Sequence, residues 1–269
     1  KIILLILSTL TSSEKNAKFS FVEITFLTKV EKSILNAAGS SGGNLTELKK
    51  TTEIDDTQRV FVSGTSLKWS IKKYWEETFG SKVISPVIEK TTGAQISSSC
   101  DPEKYIDDDL FGYFSTGTGL ARFAPVKTSG MISVFDGTDI DNLVRYSKKS
   151  DHSMFEKEIA TNVFRSSWAI ELDRIGKAKK KPTKGIGEAK KDVKLSASEK
   201  EARIKAFFQA IFNLWQRTQQ ANNLTNPQPD LITIIFRSDK SLAMGDKLRI
   251  DTQYNLDIPA LMEACLAGF

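Results

Sequence analysis

The chain has 269 residues, 40% of them hydrophobic and 26% charged, an ordinary balance for a globular protein and long enough to bury a core without disulfide or metal staples. Two cysteines, Cys100 and Cys265, cannot build a disulfide framework or a zinc site, and a single histidine, His152, excludes paired-histidine metal chemistry. The net charge of +5 is concentrated in one place: residues 176–195 hold eight lysines against two acids and carry +6 alone, leaving −1 for the rest of the chain.

The chain opens on KIILLIL, read as a buried strand over residues 2–10; the run is too short for a membrane span and no small-residue cleavage site follows it. With no other targeting segment in view, a cytoplasmic location is expected. Residues 19–28, FSFVEITFLT, alternate enough to predict a strand. Residues 29–59 read as a long irregular stretch, because Gly39, Gly42 and Gly43 lie among serines between Asn36 and Asn44. A short strand over 59–63 breaks at Gly64. Leu67, Ile71, Tyr74, Trp75 and Thr78 then recur at helical spacing up to Gly80, with Thr65 or Ser66 as the expected cap. After weak patterning come strands over 122–135 and 159–172, with a polar stretch, 139–158, between them. The lysine-rich segment is expected to be a solvated, flexible loop over 176–197, with contact to a polyanion as its sharper reading. Ser198-x-x-Glu201 reads as a capping box for a helix reaching about Ala221, with Ile204, Phe207, Phe208, Ile211, Phe212 and Trp215 on its apolar face. LITIIF, 231–236, reads as a buried strand; a further strand over 247–254 and a terminal helix over 258–267 close the chain. The order is βαββαβ with large insertions, an α+β fold of the ferredoxin-like or RNA-recognition-motif kind, in one domain over 1–269.

No dinucleotide or P-loop signature stands between a strand and a helix. Asp107, Asp108 and Asp109 supply carboxylates for a metal-dependent nuclease, but adjacent residues on an extended chain diverge, and a solvated loop or helix cap is the plainer reading. His152 lies in a charged stretch and reads as a surface residue. The more informative constellation is Val62-Ser63-Gly64-Thr65-Ser66-Leu67-Lys68, a strand running through glycine into a helix start, where free N–H groups and the helix dipole favour an anion. The glycine loop 39–44 can approach a phosphate backbone closely, and Lys29, Lys32, Lys49, Lys50 and Arg59 flank it. Phosphate donors without a catalytic group point to a protein that tracks a nucleic-acid backbone; a well-capped helix beside an ordinary loop stands as the alternative.

The runs ITFLTKVEKSILNAAGSSGGNLTELKK and RVFVSGTSLKWSIK, then DDDLFGYF, RFAPVKTSGMISVFDG, FEKEIATNVFRSSWAIELDRIG and QANNLTNPQPDLITIIF, resemble in order the backbone subunit of CRISPR type I Cascade complexes, and within it the DevR-like, type I-B branch. The resemblance begins at Phe19; residues 1–18 lie upstream of it. It implies a hand-shaped protein: an RNA-recognition-motif-like palm, a finger and web insert over 81–121, and a thumb over 139–158. Copies would stack as a filament along one CRISPR guide RNA, beside other Cascade subunits, pair the guide with target DNA and recruit a helicase-nuclease, without a membrane, metal or other cofactor. The RNA-binding positions it implies are Lys29, Asn36, Gly42, Gly43 and Asn44, with Lys49 beside them, and Arg59, Ser63, Gly64, Ser66 and Lys68. Met154 and Phe155 fall where the thumb would displace a base. Related type III backbone subunits cleave RNA with an aspartate near a Gly-Gly, whereas here Asn44 follows Gly43 and no Asp lies between Thr28 and Ile54. An amide cannot act as base or ionised ligand, so the resemblance implies binding without catalysis. The third-strand candidate also lacks alternating aromatics for base stacking. Two alternatives stand beside this reading: a metal-dependent ribonuclease using Asp107–Asp109, and a DNA-binding autoregulator. The second needs an exposed recognition helix, and the helix beginning near Glu199 has few basic residues after Lys205.

Overall fold

The computed structural model describes residues 3–8, 19–40, 45–86, 98–145, 153–214, 226–245 and 247–266. In chain order its elements are β1 (Ile3–Ser8), β2 (Phe21–Ser33), β3 (Ala37–Ser40), β4 (Leu45–Leu48), β5 (Lys50–Thr52), β6 (Gln58–Val62), α1 (Gly64–Phe79), α2 (Ile106–Phe111), β7 (Tyr113–Ser115), β8 (Leu120–Arg122), β9 (Val126–Ser133), β10 (Asp139–Arg145), β11 (Ser153–Glu171), β12 (Lys177–Ala178), β13 (Val193–Lys194), α3 (Ala197–Phe212), β14 (Leu231–Arg237) and α4 (Ile258–Leu266). The fold is α+β.

The main sheet runs β1–β14–β2–β11–β9–β6–β5. The four strands β14, β2, β11 and β9 pair antiparallel throughout, while β1 joins the edge of β14 in parallel. Alternation assigns the two faces. Val22, Ile24 and Phe26 of β2, Phe164, Trp168 and Ile170 of β11, and Ile232 and Ile234 of β14 form one core with Leu67, Ile71 and Trp75 of α1 and Phe207 and Ile211 of α3. Trp75 donates its indole N–H to the Ala206 carbonyl at 3.0 Å, tying the two helices together. Each fully buried large side chain of this kind contributes roughly 1.5–3 kcal/mol relative to exposure. The opposite face of the sheet is covered in part by the C-terminal segment, through a second cluster of Leu27, Val163, Ile235, Met244, Leu248 and Leu261. Glu23, buried on that face, accepts the backbone N–H groups of Ala243, Met244 and Gly245 at 2.8–2.9 Å and so anchors the segment on the sheet.

Several expectations need correcting. The stretch after β2 is not irregular: β2 extends to Ser33, and Ala37–Ser40 and Leu45–Leu48 pair as a ladder attached to β11, because the sheet supplies partners that local sequence does not reveal. Ser63 caps α1, in place of Thr65 or Ser66. The capping box of α3 is Ser196 with Glu199, two residues earlier than expected, since the N–H of buried Leu195 bonds to the Gly176 carbonyl and fixes how the chain approaches the helix. That helix ends at Phe212; Trp215 and Ala221 lie outside the described residues. No strand forms over 247–254, where one antiparallel bridge joins Ile250 to Leu256. The lysine-rich segment is built rather than merely solvated: β12 and β13 pair, and Ala178, Ala189, Val193 and Leu195 form a small core of their own. Asp107, Asp108 and Asp109 are neither a solvated loop nor a cap but buried on α2.

Candidate nucleic-acid interface

β6, β9 and β11 leave a groove of about 670 Å³ on the sheet face away from α1 and α3, beside the C-terminal segment. Three arginines line it, Arg59 of β6, Arg165 of β11 and Arg249 of the C-terminal segment, with Glu53 and Asp55 at the β5–β6 turn. Strand register explains the convergence. Arg165 pairs with Ile132 of β9, which pairs with Phe61 of β6, so Phe61 and Arg59 share Arg165's face. Asp55 is held below the usual carboxylate range, first by its hydrogen bonds to Thr57 and in smaller part by the Arg59 charge. Val163, Arg165, Ser167 and Ala169 stand on this face of β11, with no aromatic among them.

Beyond Arg249 the chain turns its apolar side to the sheet. Leu27, Val163, Ile250, Leu256 and Leu261 line a cavity of about 690 Å³, with Tyr254 and Lys29 also in its wall. The Lys29 ammonium lies 5.9 Å from the Tyr254 ring centroid and 2.9 Å from Glu31, while its backbone N–H bonds Asp230 at 2.7 Å. The Glu31 contact raises the Lys29 ammonium pKa.

The remaining predicted positions separate into three places. Asn36 donates to the Phe61 carbonyl at 3.2 Å, and its own carbonyl accepts the Lys49 N–H, so both hold β6 beside the end of β2. Lys49 itself is exposed. At the start of α1 the Ser63 hydroxyl accepts the Ser66 N–H at 3.3 Å, an ordinary helix cap. Gly64 is there for packing as well: a Cβ on it would meet Thr128 at 2.8 Å, and one on Gly130, whose φ is +82°, would meet the Val62 carbonyl at 2.3 Å. Lys68 points to α2, its ammonium 5.3 Å from the Phe111 ring centroid, and burial lowers its pKa. The structure therefore brings Lys29 and Arg59 to the groove face but turns Lys68 elsewhere. Gly42, Gly43, Asn44 and His152 lie outside the described residues. Met154 and Phe155 fall on β11 opposite Val144 and Leu143 of β10, in a hairpin whose connecting residues 146–152 are also outside them.

Arg165 and Arg249 were missed. Arg165 was readable, since it alternates with Phe164 and Ser166 in a predicted strand. Arg249 alternates likewise with Leu248 and Ile250, but the strand expected over 247–254 does not form, and its place depends on how the C-terminal segment packs on the sheet.

The acids at 107–109 each have their own protein partners. Asp107 pairs with Lys72 at 2.8 Å and accepts the Ser85 N–H. Asp108 accepts from Ser98, Ser99 and the Asp101 N–H, and burial pushes its carboxyl up. Asp109 accepts from Arg122 and Arg203, both at 2.7 Å, and from the Gly176 N–H. Among the described residues no three His, Cys, Asp or Glu side chains converge in a geometry suited to a metal, and no helix is long and apolar enough to cross a membrane.

The sequence profile of a family described as CRISPR-associated negative auto-regulator DevR/Csa2 matches residues 24–236. No curated protein matches the chain. Two solved structures are similar in fold. One, titled CRISPR RNA-guided surveillance complex, is 14% identical with a TM-score of 0.57, covering 91% of this chain and 80% of that one. The other, titled CRISPR RNA-guided surveillance complex, pre-nicking, is 13% identical with a TM-score of 0.60, covering 91% and 86%.

Proposed function

The chain belongs to the CRISPR-associated DevR/Csa2 family, and on that premise we propose that it is a non-catalytic RNA-binding backbone subunit of a type I, I-B-like Cascade surveillance complex. The observation that carries this reading is the arginine groove on the sheet face that the helices leave uncovered. Arg59, Arg165 and Arg249 reach the groove from three separate chain segments, and guanidiniums so placed suit successive phosphates, neutralising backbone charge without reading bases. The antiparallel order β14–β2–β11–β9, with α3 between β11 and β14 in the chain, supports reading these strands as the RNA-recognition-motif-like palm. The β10–β11 hairpin suits a thumb over 139–158, and α2 with β7 and β8 lies in the finger and web insert over 81–121.

In this reading, copies stack along one guide RNA in the cytoplasm, next to other Cascade subunits, and the assembly pairs target DNA and recruits a helicase-nuclease. Engagement of each of Asp107–Asp109 by its own protein donors argues against the metal-dependent ribonuclease. The exposed side of α3 offers Glu199 and Glu201 beside Lys205, a poor surface for DNA phosphates. The test is extraction of nucleic acid from natively purified protein: RNA of one discrete length supports the reading, and protein free of RNA that shortens added RNA in Mg²⁺ contradicts it.

A further inference from the structure

The lysine-rich segment accounts for the whole net positive charge of the chain, yet the palm groove uses none of it. The segment is fastened to the β7–β8 hairpin. The Ala121 N–H bonds the Gly187 carbonyl at 2.9 Å, Lys181 donates to the Thr118 carbonyl at 2.8 Å, and the Tyr113 hydroxyl donates to the Glu188 carbonyl. Its two acids each accept hydrogen bonds from the segment or its flank. Glu188 accepts from Arg174 and from the Lys179 N–H, and Asp192 accepts the Lys180 N–H. Lys177, Lys179, Lys180, Lys184 and Lys194 are exposed. Lys191 pairs with Glu103, and Lys190 reaches the Ser99 carbonyl, so these two are partly committed.

The hairpin explains why aromatics stand beside this charge. Tyr113 pairs with Arg122 and Ser115 with Leu120, and Arg122, Ser115 and Leu120 are buried, so these pairs face inward. Phe114 pairs with Ala121 on the outward face and is 69% exposed. Phe123, just past the end of β8, is 80% exposed. Leaving two phenylalanines this exposed is unfavourable without a partner. A surface that combines bare aromatic rings with exposed lysines that outnumber the exposed Asp192 and the half-buried Glu188 matches the chemistry of unpaired bases on a phosphate backbone.

We propose that the outward face of the β7–β8 hairpin, with the lysine-rich segment that clasps it, is a second nucleic-acid site that binds a single strand distinct from any strand in the palm groove, stacking bases on Phe114 and Phe123 and holding phosphates with Lys179, Lys180 and Lys184. A single strand is favoured over a duplex because paired bases offer no free face to a ring.

The test uses the full chain loaded with RNA, an added labelled single-stranded oligonucleotide, and the matching duplex as control. K179A/K180A/K184A is expected to flatten the dependence of log affinity on log salt by roughly 2, at about 0.7 per phosphate contact. F114A/F123A is expected to weaken the single strand roughly tenfold or more with the salt slope unchanged, and to leave duplex binding as it was. Both variants should keep the melting temperature and the RNA already held. Unchanged single-strand affinity in both variants overturns the proposal. So does a change in self-association with nucleic-acid binding intact, which would make the patch a protein interface. Failure of the palm reading is distinguishable, since the wild-type chain would then hold no RNA while still binding the added strand through the hairpin.

Discussion

Two clusters of arginine show how differently the same side chain is used in this molecule. Arg122 and Arg203 converge on buried Asp109, and their remaining donors go to carbonyls: Arg122 to Asp109, Lys177 and Arg174, Arg203 to Pro102 and Glu103. That network joins α2, β8, the turn before β12 and α3, and is sealed. Arg59, Arg165 and Arg249 line a solvent-open groove on the far side of the sheet. A closed cluster of this kind holds the fold, because breaking it strands a buried charge; guanidiniums at an open groove remain within reach of a ligand.

The sharpest way to break the comparison is Asp109→Ala. Removing the carboxylate leaves Arg122 buried without its ion, and a loss of about 3–5 kcal/mol in unfolding free energy is expected, read by denaturant melts. A loss below 1 kcal/mol would mean that the cluster is no more structural than the groove. A smaller effect is expected at Glu171. Burial alone would raise its carboxyl, but hydrogen bonds from Lys127 and Lys240, with the Arg174 charge, lower it to about 2 from the usual 4.5. Its contribution is therefore fully present above pH 4.5 and fades as pH falls toward 2. Glu171→Gln should flatten the acid limb of stability against pH in that window and leave the neutral region without further slope; an unaltered acid limb would show that Glu171 does not carry it.

Arg165→Ala sharpens the other side of the comparison. It should weaken RNA roughly tenfold, about 1.4 kcal/mol, beyond any fall in melting temperature; a fall in stability with RNA affinity unchanged would place Arg165 with the structural arginines. Ser63→Ala is the smallest, about 1 kcal/mol of stability as a lost helix cap. If it weakens RNA binding beyond that destabilisation, the start of α1 is an anion site as well as a cap.

The helices and central strands were legible because their signals are local. Leu67, Ile71 and Trp75 mark the buried stripe of α1, and LITIIF reads as a strand in any context. The strands at 37–40 and 45–48 were not legible, since chain of this kind becomes strand only when β11 offers an edge. The cap of α3 was misplaced by two residues because Ser196 and Ser198 both begin a matching pattern, and only the Leu195–Gly176 bond decides between them. The candidate groove is partly legible: Arg59 stands among the positions expected from sequence, and Arg165 is hidden in plain alternation. Arg249 reaches the groove because the C-terminal segment packs on the sheet, anchored in part by Glu23 to residues 243–245, a pairing across more than two hundred positions that no local pattern encodes.

A groove lined by three arginines is expected to hold a polynucleotide by its phosphates. The direct measurement is the salt dependence of guide-RNA affinity for the wild-type chain and for R59A/R165A/R249A, with thermal melts alongside. Three lost phosphate contacts predict a slope shallower by roughly 2, at about 0.7 per contact, in a protein that the melts show still folded. An identical slope and affinity in the triple variant would contradict the account.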